Sequence, residues 1–156
     1  MREILFRGKR IDNGEWVEGA FLNDRDGAFY ICPAVSDITY GDNGNRRRIG
    51  CWYRVDPNTV GQYTGLTDKN GKRIFEGDIL RYTGFNMTYD DICYVVFDCA
   101  EFALKFVTMD KRTMAKKDLE KLGLQKGLFD FCVGRNSFEV IGTIHDNPEL
   151  LEEEPT

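Results

Sequence analysis

Residues 62–81 decide the fold, and their sequence is QYTGLTDKNGKRIFEGDILR. Within them the turn-forming residues Asp68–Gly71 (DKNG) separate two short apolar runs. Asn-Gly between apolar runs is the strongest short-range signal of a β-hairpin, because both residues tolerate the positive φ angles of a type I′ turn. A second turn candidate, residues 76–78 (EGD), precedes the apolar pair Ile79 and Leu80. We therefore predict three short strands joined by two tight turns.

The segments on either side also alternate between short apolar runs and turns. Asn-Gly recurs at Asn13 and Asn43, and the polar segment 36–48 is predicted to be a hairpin tip or a mobile surface loop. Aromatic residues make up 13% of the chain and glycine is frequent, which favours strands joined by turns. Further strands are predicted at residues 2–11, 15–22, 28–32, 49–55, 79–82, 92–97, 102–108, 129–133 and 137–144.

One short helix is predicted at Arg112–Leu122 (RTMAKKDLEKL). Its apolar residues Met114, Leu119 and Leu122 recur near the spacing of one helical face. Gly123 follows them, and glycine is the usual residue to end a helix in the left-handed conformation.

Many short strands and one short helix indicate a mainly β protein made of small antiparallel units. We place an N-terminal β unit at residues 1–66 and a C-terminal β unit at 67–146, which includes the helix, and an acidic tail at 147–156. Neither unit is large enough for a generous core, so we expect the two to pack on each other or on another chain.

The net charge of −5 comes from the C-terminal end of the chain. Residues 1–66 carry nine Lys/Arg and nine Asp/Glu, and residues 67–145 carry twelve of each. The other five acidic residues lie beyond residue 145, with no basic residue among them. No broad electrostatic field is therefore expected to direct the protein to nucleic acid or to an anionic membrane.

Neither a metal site nor a cofactor is predicted. The five cysteines are scattered without a CxxC pair, and the single histidine is His145. Zinc sites usually draw their ligands from closely spaced pairs, so reduced thiols that pack as small hydrophobes explain the cysteines better. The loops also lack the glycine patterns that hold nucleotide phosphates.

The apolar run near the N-terminus, Ile4–Phe6, is too short for the core of a signal peptide. No stretch approaches the roughly 20 apolar residues that span a bilayer. We expect a soluble cytoplasmic protein that does not contact a membrane.

The first candidate for a binding site is the run Arg46, Arg47 and Arg48. Arginines bind phosphates in a bidentate manner, and the aromatic residues Trp52 and Tyr53, which follow closely, could stack on bases. The alternative is a solvated loop whose charges keep a hairpin tip soluble, with Trp52 in the core.

The second candidate is a basic group around the predicted helix, in particular Lys116 and Lys117. It could contact nucleic acid or an acidic partner. Asp118 and Glu120 interrupt this basic face, and a solvated amphipathic helix explains it equally well.

No catalytic residue is predicted, because local structure explains each acidic or basic candidate. Asp78, after Gly77, suits a turn in which the carboxylate bonds to nearby backbone amides. Glu76 and Asp78 could share one face of a strand, but nothing nearby supplies a platform for a sugar. His145 has no nucleophile motif to serve as a general base.

Four segments, in this order and at this spacing, resemble one family. They are REILFRGKRIDNGEWVEGAF (2–21), VDPNTVGQYTGLTDKNGKRIFEGDILR (55–81), Val95–Phe97 and FEVIGTIHDNPELL (138–151). They are similar to the YopX family of phage and prophage proteins, with Asp24–Arg54 the least matched part. The resemblance implies a mainly β protein with an SH3-like barrel in its C-terminal half, and oligomers in a bacterial cytoplasm. It implies no reaction, since the family is functionally unassigned.

Three functions are therefore considered. The first is a non-enzymatic, homo-oligomeric interaction module that acts on a host or phage macromolecule. The second is a nucleic-acid-binding accessory protein that uses the arginine loop and the basic helix. The third is an unrecognised enzyme, which a deep pocket with convergent polar groups would distinguish.

Overall fold

The computed structural model describes residues 3–33, 37–40, 46–49, 52–83, 90–98, 100–107 and 138–152. These residues form twelve β-strands and two short 3₁₀ helices, Pro57–Thr59 and Pro148–Leu151, so the predicted mainly β fold is confirmed. The chain divides into two compact units, Met1–Tyr63 and Thr64–Thr156. The domains predicted at 1–66, 67–146 and 147–156 stay predictions.

Seven strands begin in unit 1, and their bounds are β1 Phe6–Lys9, β2 Trp16–Asn23, β3 Phe29–Cys32, β4 Asp37–Tyr40, β5 Arg46–Ile49, β6 Tyr53–Val55 and β7 Gly61–Thr67. Five of them, together with β8 (Arg73–Phe75), form a six-stranded sheet in the order β6-β3-β2-β1-β7-β8. The pairs from β6 to β7 are antiparallel. β4 and β5 form a separate two-stranded antiparallel ribbon. β7 starts in unit 1 and continues into unit 2.

The core of unit 1 lies on one face of its sheet. Val17, Ile31 and Val55 are buried there because they occupy alternate positions of paired strands. Half-buried aromatic side chains surround them. The ring of Phe21 lies 5.1 Å from the ring of Phe29, centroid to centroid, in an edge-to-face contact. This packing ties β2 to β3.

The other strands belong to unit 2, and their bounds are β8 Arg73–Phe75, β9 Asp78–Thr83, β10 Asp90–Asp98, β11 Glu101–Phe106 and β12 Phe138–Thr143. Four of them form an antiparallel sheet in the order β11-β10-β9-β12. One core cluster of this unit consists of the buried residues Ile74, Leu80, Cys93, Val95, Phe138 and Val140. Within the described residues no pairing joins β11 to β12, so the SH3-like barrel stays a prediction.

The central hairpin is confirmed, since β7 and β8 flank Asp68–Gly71, but the expected type I′ turn is wrong. Gly71 has a φ angle of 80°, whereas Asn70 does not have a positive φ. Asp68 begins the turn, and its carbonyl accepts the N–H of Gly71 at 3.0 Å. Asp at the first position and Gly at the fourth are typical of a type I turn, in which only the glycine needs the left-handed region.

The predicted strand at residues 49–55 is confirmed at Ile49 and at Tyr53–Val55, but these residues belong to two strands, because β5 ends at Ile49 and β6 begins at Tyr53. Residues 46–48 pair with β4 in the ribbon, so they belong to a strand rather than to a hairpin tip or loop. β6 instead pairs with β3 in the main sheet. Residues 49 and 53–55 therefore belong to different strands because they pair with different partners, β4 and β3. The choice of partner strand is not encoded in the local sequence.

The predicted helix Arg112–Leu122 and the predicted strand at 129–133 lie outside the described residues. In the part of the chain that the structure describes, no helix is long and apolar enough to cross a membrane.

We predict that Gly19→Ala destabilises unit 1 strongly. A β-carbon on Gly19 would overlap the backbone carbonyl of Cys32 and lie 2.7 Å from the α-carbon of Pro33. We expect the free energy of unfolding, measured with urea, to fall by about 3 kcal/mol, the upper end for overpacking.

The matched control is Gly14→Ala, where φ is 74° and no atom lies within 4 Å of the added carbon. It should lose only about 1 kcal/mol, the cost of a left-handed backbone at an alanine. Equal losses for the two variants would contradict the overlap at Gly19.

Candidate functional site

The predicted binding residues Arg46, Arg47 and Arg48 occupy the first three positions of β5. They pair in register with residues 38–40 of β4. The structure thus places three consecutive arginines on one strand of a two-stranded ribbon. Their role in binding stays a prediction, and the other predicted residues, Lys116 and Lys117, lie outside the described residues.

A basic and aromatic cluster on β1 and β2 was missed by the sequence analysis. The guanidinium carbon of Arg7 lies 4.8 Å from the centroid of the Trp16 ring, and the Nζ of Lys9 lies 5.8 Å from it. A cation over an indole face contributes about 0.5–1 kcal/mol at exposed sites and about 2 kcal/mol where it is desolvated, and Arg7 is buried. Lys9 stands directly opposite Trp16 across the Asn-Gly turn. Counting back from that turn would have revealed this pairing.

The ring of Tyr53, which was predicted as a possible stacking surface for bases, is in a cation–π contact with Arg10. The guanidinium carbon of Arg10 lies 4.0 Å from the centroid of the Tyr53 ring. The Nε of Arg10 also donates to Oδ1 of Asp12 at 2.9 Å. That hydrogen bond raises the pKa of Arg10 and lowers the pKa of Asp12. Arg10 and Tyr53 therefore stabilise the β1–β2 turn and β6.

The carboxylate of Asp68 connects the central turn to β12. Its Oδ1 accepts the N–H groups of Asn70 and Lys72 at 2.8 and 2.9 Å. Its Oδ2 accepts the N–H of Val140 at 3.1 Å, across 72 positions of the chain. Asp68 is only 6% exposed, so these three donors replace the water that burial removes.

Two contacts of Lys69 strengthen the same connection. The Lys69 N–H donates to the Phe138 carbonyl at 3.0 Å, and its Nζ lies 2.8 Å from Oε2 of Glu139. The hydrogen bond from Lys69 lowers the pKa of Glu139. Burial raises the pKa of Asp68, but the backbone N–H groups that its carboxylate accepts outweigh burial and hold this pKa below its ordinary value.

Asp78, which was considered as a catalytic residue, holds the predicted turn at the start of β9. It is fully buried, and its Oδ2 accepts the N–H of Phe75 at 2.7 Å. Gly77 has a φ of 79°, its N–H donates to Val95, and its carbonyl accepts from Ile144. The Gly-Asp pair is therefore a corner that joins β8, β10 and the end of β12, as the turn prediction implies.

His145 lies in a compact turn after β12. Oγ1 of Thr143 accepts the N–H groups of His145 and Asp146 at 3.3 and 3.0 Å. A β-carbon on Gly142 would lie 2.5 Å from Oδ1 of Asn147, so the glycine makes room for that amide. These contacts give the residues of this turn a structural role.

An aromatic pair lies at the end of the β10–β11 hairpin. The rings of Phe97 and Phe102 are 5.1 Å apart and meet edge to face. Phe97 is 51% exposed. β11 is the terminal strand in the order of the strands that the structure describes in this sheet. This hairpin is therefore a candidate interaction surface.

Across the described ranges no three His, Cys, Asp or Glu residues come together as a metal site. Cys32 and Cys93 are buried free thiols, in agreement with the prediction that they pack as small hydrophobes. The other three cysteines, Cys51, Cys99 and Cys132, lie outside the described residues.

A comparison of the sequence with protein-family models identifies the family of this chain. The model described as YopX protein matches residues 5–152. This chain belongs to the YopX family. The predicted resemblance is therefore confirmed over nearly the whole chain.

The YopX fold described here is also similar to a solved structure, the crystal structure of protein EF1440 from Enterococcus faecalis. The TM-score is 0.58 and the sequence identity 26%, over 97% of this chain and 100% of that chain. No curated protein matches the chain in sequence.

We predict that Asp68→Asn lowers the free energy of unfolding of this YopX protein by about 2 kcal/mol at pH 7. The amide has only one acceptor oxygen, so its NH2 group would face at least one of the three N–H donors. The folded-state pKa of Asp68 is below the ordinary value of 3.8. The stabilisation that the ionised Asp68 carboxylate gives the folded state is therefore fully present above pH 3.8. It is lost as the pH falls through the folded-state pKa.

Urea unfolding at pH 7 and at successive pH values below 4 measures both effects. The difference between wild type and Asp68→Asn should shrink as the pH falls. Asp26→Asn, in an exposed turn, is the control and should unfold like wild type. A constant difference over the whole pH range would contradict a role for the ionised carboxylate.

Proposed function

We propose that this YopX-family protein is a non-enzymatic, homo-oligomeric interaction module, encoded by a bacteriophage or prophage, that acts on a host or phage macromolecule in the bacterial cytoplasm. The observation that carries the proposal is the aromatic pair Phe97 and Phe102 at the end of the β10–β11 hairpin. Phe97 is 51% exposed and contacts the half-buried Phe102. Aromatic side chains at a surface suit contact with another chain, because they are enriched at protein interfaces.

The use of the buried carboxylates supports a non-enzymatic role. A general base or nucleophile must reach its substrate. The Oδ2 of Asp78 instead bonds within its own turn, and both oxygens of Asp68 accept backbone N–H groups. Both residues serve folding.

Family membership supports the phage or prophage origin, and the similar protein EF1440 comes from a bacterium. The free thiols of Cys32 and Cys93 suit a reducing compartment such as the cytoplasm. We also propose that unit 2 is an SH3-like barrel. The irregularity between Val140 and Gly142 in β12 supports this, because bulges bend strands in the way that barrels require.

A second candidate function is nucleic-acid binding through Arg46, Arg47 and Arg48. The β4–β5 ribbon favours it, because a two-stranded ribbon fits the major groove of duplex DNA and arginine contacts phosphates and guanines. The balanced charge of residues 1–66 limits this role to a local contact.

The first test is light scattering after size exclusion, at low and high salt, with nucleic-acid absorbance followed across the peak. We expect an oligomer of the 18.0 kDa chain that survives high salt and carries no nucleic acid. A monomer at every concentration would contradict the proposed oligomer. A monomer that sheds nucleic acid at high salt would favour the second candidate.

The second candidate makes its own prediction for the variant in which Arg46, Arg47 and Arg48 are all changed to Ala. If these residues contact phosphates, the slope of log binding constant against log salt on duplex DNA should become shallower by about three. The control Arg25→Ala with Lys72→Ala removes two exposed charges elsewhere and should change the slope little. Equal slopes for wild type and the triple variant would contradict the contact.

A further inference from the structure

We propose that Asn70 is a site of spontaneous deamidation, and that Asn13, the other Asn-Gly site that the structure describes, resists the same reaction. Both asparagines are exposed, and each precedes a glycine with a positive φ angle, 74° at Gly14 and 80° at Gly71. The inference concerns a chemical modification of the chain and does not depend on the proposed function.

The reaction is an attack of the backbone on the side chain. The backbone nitrogen of Gly71 loses its proton to solvent and bonds to the side-chain carbonyl carbon, Cγ, of Asn70. The bond from Cγ to the amide nitrogen breaks, and that nitrogen takes up a proton from water and leaves as ammonia. Water then opens the five-membered succinimide ring at one of its two carbonyl carbons. The products are aspartate or isoaspartate, and in isoaspartate the backbone runs through the former side chain.

The attacking nitrogens of the two sites are restrained in the same way. The N–H of Gly71 donates to the carbonyl of Asp68 at 3.0 Å, and the N–H of Gly14 donates to the carbonyl of Arg10 at 2.9 Å. A β-carbon built on either glycine would meet no atom within 4 Å, so neither site is crowded. A difference in rate between the sites therefore has to come from the side chain under attack.

The side chain of Asn13 is bound at both ends of its amide. Its Nδ2 donates to Oε2 of Glu15 at 2.7 Å, and its Oδ1 accepts the N–H of Glu15 at 3.0 Å. The amide nitrogen is the leaving group of the reaction, and Cγ has to reach the glycine nitrogen at about 3–3.5 Å with its face towards it. The two bonds oppose both the rotation of the amide and the departure of its nitrogen.

The side chain of Asn70 is not held in this way. Its backbone N–H donates to Oδ1 of Asp68 at 2.8 Å, but its side-chain amide makes no hydrogen bond in the part of the chain that the structure describes. The amide can therefore exchange among its rotamers. We expect Asn70 to react about ten-fold faster than Asn13, a difference of about 1.4 kcal/mol in activation free energy, which is the size of one or two hydrogen bonds.

The modification would weaken the turn that Asp68 organises. Oδ1 of Asp68 accepts the N–H groups of Asn70 and Lys72 together. Isoaspartate at position 70 inserts one carbon into the backbone between these two N–H groups, so they no longer fit the same oxygen. Deamidation of Asn70 would therefore destabilise the connection between this turn and β12.

The test follows both sites in one sample of the folded full-length chain, incubated at mildly alkaline pH. Chymotrypsin, which cleaves after aromatic residues and leucine, releases residues 7–16 and 67–75 as separate peptides with one asparagine each. Tandem mass spectrometry then measures the fraction of each asparagine that has become an acid. We expect about ten-fold faster conversion of Asn70 in the folded protein. In denaturant the two rates should be nearly equal, because both sites are then unfolded Asn-Gly sequences.

A variant tests the cause of the difference. Glu15→Ala removes the carboxylate that binds the Asn13 amide, so conversion of Asn13 should rise several-fold while that of Asn70 stays the same. Asp26→Ala, in an exposed turn, is the control and should change neither rate. Conversion of Asn13 as fast as that of Asn70 in the folded wild type would overturn the proposal, and so would an unchanged rate at Asn13 in Glu15→Ala.

Urea unfolding measures the consequence. Wild type that has been incubated until Asn70 is largely converted should unfold at a lower urea concentration than fresh protein. Asn70→Ser has no amide at this position, so its incubated and fresh samples should unfold alike. Identical unfolding of converted and fresh wild type would overturn the predicted effect on the turn.

Discussion

The carboxylate of Asp68 binds the backbone of two chain segments that lie far apart in sequence, and unit 2 depends on that connection. One oxygen shapes the turn between β7 and β8, and the other accepts the N–H of Val140 in β12. A buried carboxylate is costly unless donors surround it. The turn and β12 must therefore be in place together, which fixes where the final strand enters the sheet.

The segments with the clearest family resemblance meet at this connection. Asp68 and Lys69 belong to the central block, and Val140 and Glu139 belong to the C-terminal block. The Gly77-Asp78 corner adds a bond from the Ile144 N–H to the Gly77 carbonyl. The central and C-terminal blocks of the resemblance thus meet where β12 joins the sheet of unit 2.

Polar residues of other strands differ in what they contact and in the element that carries them. In unit 1, Arg7 and Arg10 lie over aromatic rings and so stabilise strand pairing. Residues 46–48 instead stand on a separate ribbon. In unit 2 the β10–β11 hairpin combines an exposed aromatic ring with the alternating charges Glu101 and Lys105. Contacts with other molecules are best sought at the ribbon and the hairpin.

The sequence by itself determined the features that depend on neighbouring residues. Asn-Gly and Gly-Asp mark the turns at residues 13–14, 70–71 and 77–78, because turn geometry depends on a few adjacent residues. Short apolar runs indicated the mainly β class and most strands, including the one that carries Phe102. The arginine run was visible as a candidate site from its composition.

Only the tertiary structure decided which strand meets which. The split of residues 49–55 between β5 and β6, the rings over which Arg7 and Arg10 lie, and the bond from Asp68 to Val140 all depend on pairing between distant segments. The same holds for β11 as the terminal strand among those described. Register and strand order arise from the joint burial of the whole sheet, so no short window of sequence contains them.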